Sequence, residues 1–270
     1  MPVNDDLGKR MKEYYEGVPK TRLMRRTPVA IRIDGKAFHT FTRGFGKPFD
    51  EILMRSMQET MRYLCENIQG CVLGYTQSDE ITLVLIDYKK LNSSAWFDYE
   101  VQKMCSIAAS MATLAFNRIF AQKCMVYKKQ EEEKGTASEN RVAIYENAIA
   151  KGAMFDARCF NIPKEEVTNL IYWRQLDAAR NSVQMVGQAN FSHKELQNKT
   201  CSMIQEMLWQ ERNINWNDFP TDCRRGTCCI KTEGTENERS GWVIDREIPI
   251  LRNEDREYVD KLVYIDDEEI

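Results

Sequence analysis

Two carboxylates stand where a sheet could bring them together. Asp34 closes the strand-like run Val29-Ala30-Ile31-Arg32-Ile33 and is followed by Gly35-Lys36-Ala37-Phe38-His39. Asp79 sits in Gln77-Ser78-Asp79-Glu80, between the apolar runs Val72-Leu73-Gly74-Tyr75 and Ile81-Thr82-Leu83-Val84-Leu85. An acid at a strand end and another at a hairpin tip can converge on one sheet edge. Converging carboxylates suit Mg²⁺, a hard cation that binds through carboxylate oxygens and substrate phosphates. A pair of such ions, about 3.5–4 Å apart, is the usual device for phosphoryl and nucleotidyl transfer. Taken singly, each aspartate is equally an ordinary turn residue.

The loop after Asp34 adds a second element. Gly35 lets the backbone approach a ligand closely. Successive N–H groups from Gly35 through Lys36, Ala37 and Phe38 to His39 then suit an anion-binding nest for a triphosphate. The same residues also suit a plain strand-to-helix turn. Lys47, before Pro48 in a Gly-rich turn, is a point charge for a phosphate or a solvated lysine. Ser78 and Glu80 flank Asp79, and strand alternation turns only part of that trio toward one face. Glu80 reads as a partner of the acids or as a surface carboxylate, and His39 as a phosphate contact, an acid or a packed side chain.

The elements that would hold these groups can be traced along the chain. A strand at 29–34 is followed by a turn-rich stretch, 42–48. Asp50 reads as a helix N-cap. Leu53, Met57, Met61, Leu64 and Ile68 then give one apolar helical face, and Gly70 is a stop. The hairpin around Asp79 follows. A second helix is expected at about 95–121, lined by Val101, Met104, Ile107, Ala108, Met111, Ala115 and Ile119. Residues 128–136 are charged, contain no large apolar side chain and read as a loop. Another strand, 153–160, ends before Pro163. Strand, helix, hairpin, helix, strand is βαββαβ, the split βαβ arrangement with helices on one face of an antiparallel sheet. Beyond it, helices are expected at 164–187 and from Ser192, whose Glu195 completes a capping box. Leu196, Thr200, Met203 and Met207 would form the second helix's inner face. Residues 242–245 and 248–251 read as short strands. The fold class is thus α+β: a catalytic sheet domain over 1–165, with a helical and C-terminal region over 166–270 packed on it.

Composition sets outer bounds. The chain has 270 residues, 43% of them hydrophobic, with nine cysteines and two histidines. No window approaches ~18 consecutive apolar residues, so no membrane-spanning helix is expected. The first residues lack a signal-peptide pattern, and abundant cysteine without one points to a reducing cytoplasm. No Cys-x-x-Cys pair is present, so a structural zinc site is not expected. Net charge is −3. Residues 254–270 hold eight acids and two bases, a tail of −6, which leaves +3 on the rest. A mildly basic body with an acidic tail can bind a polyanion through a local patch, and is equally compatible with a neutral enzyme carrying a solvated tail.

Three blocks carry a resemblance: Ile33-Asp34-Gly35-Lys36-Ala37-Phe38-His39-Thr40-Phe41, Lys47-Pro48-Phe49-Asp50 and Gly74-Tyr75-Thr76-Gln77-Ser78-Asp79-Glu80. Together they resemble the signature blocks of the tRNA-His guanylyltransferase family. Phe155-Asp156-Ala157-Arg158, Trp173-Arg174-Gln175 and Arg225-Gly226-Thr227 resemble later blocks in the same order. The resemblance spans about residues 5–230. It implies a polymerase-like palm that adds nucleotides to the 5′ end of tRNA. It also implies metal binding by the Asp34 and Asp79 side chains and the Gly35 carbonyl, with two Mg²⁺ ions. Triphosphate contacts are implied from the Gly35–His39 backbone, Lys47 and Ser78, with GTP and ATP as substrates, tRNA as partner and a homotetramer as assembly. Arg32, Glu80, Arg174, Asn181 and Arg225 are candidates for support of the acids or contact with RNA.

One departure from the family pattern bears on substrate. Eukaryotic members carry His-Ile-Asn-Asn shortly after Trp-Arg-Gln, where this chain has Ala179-Arg180-Asn181-Ser182. The chain is therefore more similar to bacterial and archaeal guanylyltransferase-like proteins, a resemblance that implies template-dependent repair of 5′-truncated tRNA. G−1 addition to tRNA-His is the alternative. Two readings of other classes share the split βαβ core: a nucleotide cyclase, which needs no RNA, and an RNA-binding module without chemistry. The module reading leaves Asp34 and Asp79 unexplained, since acids on an RNA-facing sheet repel phosphate.

Overall fold

The computed structural model describes residues 6–135, 138–232 and 241–265. Helix α1 (Asp6–Met11) precedes strand β1 (Val29–Gly35). The short α2 (Phe38–Phe41) and long α3 (Glu51–Asn67) lead into the hairpin of β2 (Cys71–Gln77) and β3 (Glu80–Leu85). Helices α4 (Val101–Lys134) and α5 (Glu139–Lys151) precede β4 (Phe155–Asn161). Next come α6 (Lys164–Asn190), α7 (His193–Leu196), α8 (Cys201–Arg212) and α9 (Thr221–Arg225). Strands β5 (Thr227–Thr232) and β6 (Gly241–Asp245) and helix α10 (Glu257–Val263) complete the described chain. The βαββαβ order holds, with α5 inserted before its last strand.

All six strands form one antiparallel sheet, ordered β4-β1-β3-β2-β5-β6. Alternation along each strand sorts side chains to two faces. Val29, Ile31, Ile33, Ile81, Leu83 and Leu85 pack beneath α3, α4 and α5. The centre of this layer is aromatic: Phe38, Phe41, Phe116, Phe120 and Phe155 meet with ring centroids 5.1–5.8 Å apart. Tilted and edge-on contacts of this kind add to what burial alone contributes.

The expectation of helices on one face needs correction. Leu73, Tyr75, Val84, Ile86 and Cys228 face the other way and are covered by Val167 and Ile171 of α6 and Val259 and Val263 of α10. These apolar residues would otherwise lie in water, so a second layer is required. It covers the β3-β2-β5 side. Toward β1 and β4 the same face stays open, with Asp156 and Arg158 exposed.

Other differences have local causes. Residues 128–134 are helical, because Lys, Glu and Gln are strong helix formers. Lys129–Glu133 and Lys134–Glu131 pair along the helix, Lys128 reaches Glu146 of α5, and Gly135 closes it in a left-handed turn. Residue 136 of that expected loop lies outside the described residues. Helix α4 starts at Val101 rather than 95, since Phe97 and Asp98 adopt left-handed φ values. Its inner face is Met104, Ala108, Ala112, Ala115, Phe116, Phe120 and Cys124, while Ile107 is partly exposed. By length and composition alone α4 could cross a membrane; here its inner side is core.

The Ser192 capping box is present but opens only α7; Thr200 caps α8, whose buried residues are Ile204 and Leu208. Residues 248–251 are not a strand: Gln175 of α6 takes up the Pro249 carbonyl and Leu251 amide that a strand would pair. The acidic end is helical as far as Val263, with Val259 and Val263 buried, whereas residues 266–270 lie outside the described residues.

Candidate active site

Antiparallel pairing places Asp34 opposite Glu80 on β3 and Asp156 on β4. The β2–β3 turn brings Asp79 to the same sheet end, and the Gly35 amide donates to the Asp79 carbonyl at 3.1 Å. Burial raises the pKa of Asp79, and the nearby negative charge of Asp34 raises it further; a hydrogen bond from Ser78 Oγ, at 3.0 Å, opposes the rise. A cation between the two carboxylates would offset the penalty that the Asp34 charge places on ionised Asp79. Asp34 is partly exposed and, among the described residues, has only long ion pairs, to Arg158 at 3.7 Å and Arg32 at 3.9 Å.

A cleft of about 500 Å³ opens beside this pair. Gly35, Ala37, Phe38, His39, Lys47, Ser78 and Asp79 line it, together with Met185 and Gln188 of α6. The loop's roles are more divided than its sequence suggested. The Gly35 amide is committed to Asp79, and that of Lys36 donates to the Met154 carbonyl at 2.8 Å. Ala37 adopts φ 54°, which turns the chain into α2. The amides of Ala37, Phe38 and His39 have no hydrogen-bond partner among the described residues, so the anion nest narrows to these three. The Phe38 ring is core and lies against Gly35, where an added Cβ would fall 2.2 Å from it. Lys36 is exposed outside the cleft lining.

Lys47 reaches the cleft on a loop that Asp50 organises. The Asp50 carboxylate accepts from the Gly46 amide at 2.8 Å, the Leu53 amide at 3.0 Å and the Tyr145 hydroxyl at 2.8 Å. It thus caps α3, as its sequence position predicts, and anchors the turn before Lys47. Asp50→Ala removes the cap and strands two donors. Its expected cost is about 3 kcal/mol, read by urea unfolding, together with a raised apparent KM for nucleotide as the loop loosens.

The remaining candidates separate. Glu80, Arg174 and Arg32 form a largely buried charge cluster. Arg174 donates to Glu80 at 2.9 Å, and Arg32 lies 3.9 Å from Glu80. Burial raises the Glu80 pKa, while the two arginines pull it down. Asn181, on α6, lines an adjoining recess that shares Asp50, Leu53, Ser78 and Met185 with the cleft. Arg225 is not brought to the cleft. Its carbonyl accepts from Tyr75 Oη at 2.6 Å, and its side chain lines a separate cavity with Pro249, Ile250 and Arg252. Burial and Arg224 lower its pKa. Met185 and Gln188 carry no site signal in the sequence; only the packing of α6 puts them there.

An antiparallel split βαβ sheet with two acids at one end, beside a cleft of free amides, is a palm arranged for nucleotidyl transfer. Residues 8–163 match the tRNAHis guanylyltransferase (Thg1) family. The chain belongs to that family, whose members are nucleotidyltransferases. The solved structure of a bacterial tRNA(His) guanylyltransferase (Thg1)-like protein in complex with ATP is 41% identical, covers 96% of this chain and 100% of its own, and superposes with a TM-score of 0.79. A second structure, of such a protein in complex with GTP, is 40% identical, covers 97% of this chain and 100% of its own, and superposes with a TM-score of 0.74. A probable tRNA(His) guanylyltransferase of Dictyostelium discoideum is 26% identical over 247 residues, 86% of this chain and 87% of that one.

Proposed function

We propose that the protein adds nucleotides in the 3′–5′ direction to the 5′ end of tRNA, directed by the opposing strand, and so repairs 5′-truncated tRNA. The observation that carries this reading is the meeting of Asp34 and Asp79 at the rim of a cleft with three free amides and Lys47. Two points favour repair over G−1 addition. Ala179 stands where the eukaryotic motif has histidine, and the bacterial Thg1-like structures are markedly more similar to the chain than the Dictyostelium protein is.

The donor set fits Mg²⁺. Two carboxylates and the Gly35 carbonyl are hard oxygen donors, and a site with one or two carboxylates leaves room for substrate phosphates. Among the described residues no cluster of three or more His, Cys, Asp or Glu side chains stands poised to enclose a metal. Bound there, two Mg²⁺ ions would supply neutralisation of the charge that develops on the transferring phosphoryl group. The Ala37, Phe38 and His39 amides would donate to the triphosphate of GTP or ATP, and Lys47 would add a point charge. In elongation, the incoming nucleotide's 3′-hydroxyl attacks the 5′ phosphorus of the RNA and expels pyrophosphate from a 5′-triphosphate end; a 5′-monophosphate end first attacks the α-phosphorus of a nucleoside triphosphate with loss of pyrophosphate, and the nucleoside monophosphate so attached is then the leaving group. We place the activity in the cytoplasm, consistent with nine free cysteines. We take the assembly to be a homotetramer, to which the exposed Leu114, Met125 and Val126 of α4 offer apolar surface.

The experiment is incubation with 5′-truncated tRNA, Mg²⁺ and labelled nucleotides, reading growth of the 5′ end. In the same assay Lys47→Ala is expected to raise the apparent KM for nucleotide about tenfold, in the range of one lost charge-assisted contact, while RNA affinity by filter binding holds. A collapse of RNA affinity with unchanged nucleotide KM would move Lys47 to the RNA surface.

A further inference from the structure

Trp173 lies near the middle of α6 with 47% of its surface exposed. It belongs to none of the three apolar clusters among the described residues. Its neighbours are cations instead. The Arg174 guanidinium carbon lies 3.5 Å from the centre of the Trp173 ring, and that of Arg32 lies 6.0 Å away. Neither arginine is loose. Arg174 is buried and held by Glu80 at 2.9 Å and Asp177 at 3.4 Å. Arg32 reaches Glu80 and Asp34, each at 3.9 Å. A buried carboxylate thus fixes the Arg174 guanidinium, which stacks on a large flat ring with much of its surface in water, while Arg32 stands at longer range from both. Arg32 links the two regions, 6.0 Å from the centre of that ring and 3.9 Å from the candidate catalytic acid Asp34.

We propose that Trp173 is the platform on which the terminal base pair of the RNA stacks when its 5′ end is presented to Asp34. The proposal rests on the functional reading above and adds a location for the RNA end. Three features select a paired RNA end as occupant. An exposed aromatic ring on a rigid helix gives a base a π-face to stack on without reading its identity, as a repair enzyme acting on many tRNAs requires. The guanidinium of Arg158, half-exposed across the open sheet face, is placed to meet a terminal phosphate. The acids of the same face, Asp34 and Asp156, repel a strand laid along the sheet, so the duplex approaches end-on.

The test uses the full-length protein and a hairpin RNA lacking its first 5′ nucleotide, with 2-aminopurine in the terminal pair. Stacking on Trp173 is expected to change 2-aminopurine fluorescence on binding to the wild-type protein. Trp173→Ala is expected to abolish that change and raise the KM for RNA about tenfold, with nucleotide KM and thermal midpoint held. Trp173→Phe, which keeps an aromatic face, is expected to restore most of the signal and of the KM. A wild-type protein that extends the RNA without any fluorescence change overturns the proposal and leaves the function standing. So does an RNA KM equal in wild type and Trp173→Ala, or one raised equally in Trp173→Ala and Trp173→Phe alongside a lowered thermal midpoint. A wild-type protein that extends no RNA overturns the functional reading and this proposal together.

Discussion

Asp79→Ala, and separately Asp34→Ala, are expected to lower nucleotide addition by on the order of 10³-fold or more, while the fold survives. The size follows from what each carboxylate does in the proposed reaction: it holds the charge that offsets the transferring phosphoryl group. The survival of the fold follows from Asp79's surroundings. Its side chain is hydrogen-bonded to Ser78, next to it in sequence, and its structural contact with Gly35 is made by its backbone carbonyl, which alanine keeps. The pKa sign supports this. Folding raises the carboxyl's pKa through burial and through Asp34, so the ionised form opposes folding above the unfolded pKa of about 3.9, and the cost is relieved as pH falls. Removing the carboxylate at pH 7 is therefore expected to hold or raise the thermal midpoint of the metal-free protein. Single-turnover rates and thermal melts check both halves. Near-normal turnover by folded Asp79→Ala would remove Asp79 from the chemistry.

Glu80→Ala should act in the opposite way, on stability first. Glu80 lies on the same sheet end but accepts from buried Arg174 and lies near Arg32. Truncating Glu80 leaves buried Arg174, among the described residues, with only its longer ion pair to Asp177, at a cost of about 3 kcal/mol. For a chain of this size that lowers the thermal midpoint by roughly 10 °C. The Nε atoms of Arg32 and Arg174 are already buried without a hydrogen-bond partner, so the cluster has little reserve. Glu80→Gln keeps the shape and one acceptor and should cost less. Melts of the two variants separate a structural carboxylate from a catalytic one: a stable, inactive Glu80→Ala would mean that Glu80 acts on the substrate.

Much of this distinction between two neighbouring acids was legible in the sequence. Strand alternation and the Gln-Ser-Asp-Glu hairpin gave Asp79 to the turn and left Glu80 with a choice between partner and surface acid. The register of β3 against β1, and a helix more than ninety residues later, decide that choice. The palm order, the Asp50 cap and the strand-to-helix turn after Gly35 could be read because each depends on near neighbours. What could not be read depends on distant packing. The open and covered halves of the sheet follow from where α6 and α10 settle, and so do the cleft positions of Met185 and Gln188. Arg225 is a sequence candidate for support of the acids or contact with RNA; Tyr75 and Gly226 fix it over another cavity, away from the acids. An added Cβ at Gly226 would fall 2.6 Å from both the Thr76 carbonyl and the Tyr75 hydroxyl, a constraint only the fold reveals. The charged run at 128–134 departs from the expected loop because its composition suits a solvated loop and an exposed helix equally.

The most direct test of the central claim sets a 5′-truncated non-histidine tRNA beside full-length tRNA-His, under equal conditions with Mg²⁺ and all four nucleotides, and changes the base opposite the vacant 5′ position. Pairing supplies discrimination that a small set of side chains does not, because each wrong pair forfeits its own hydrogen bonds. The expected result is extension of truncated tRNAs of several identities, with the added nucleotide following the opposing base through each change. Extension of tRNA-His alone, always by G whatever lies opposite, would contradict repair and establish tRNA-His maturation in its place.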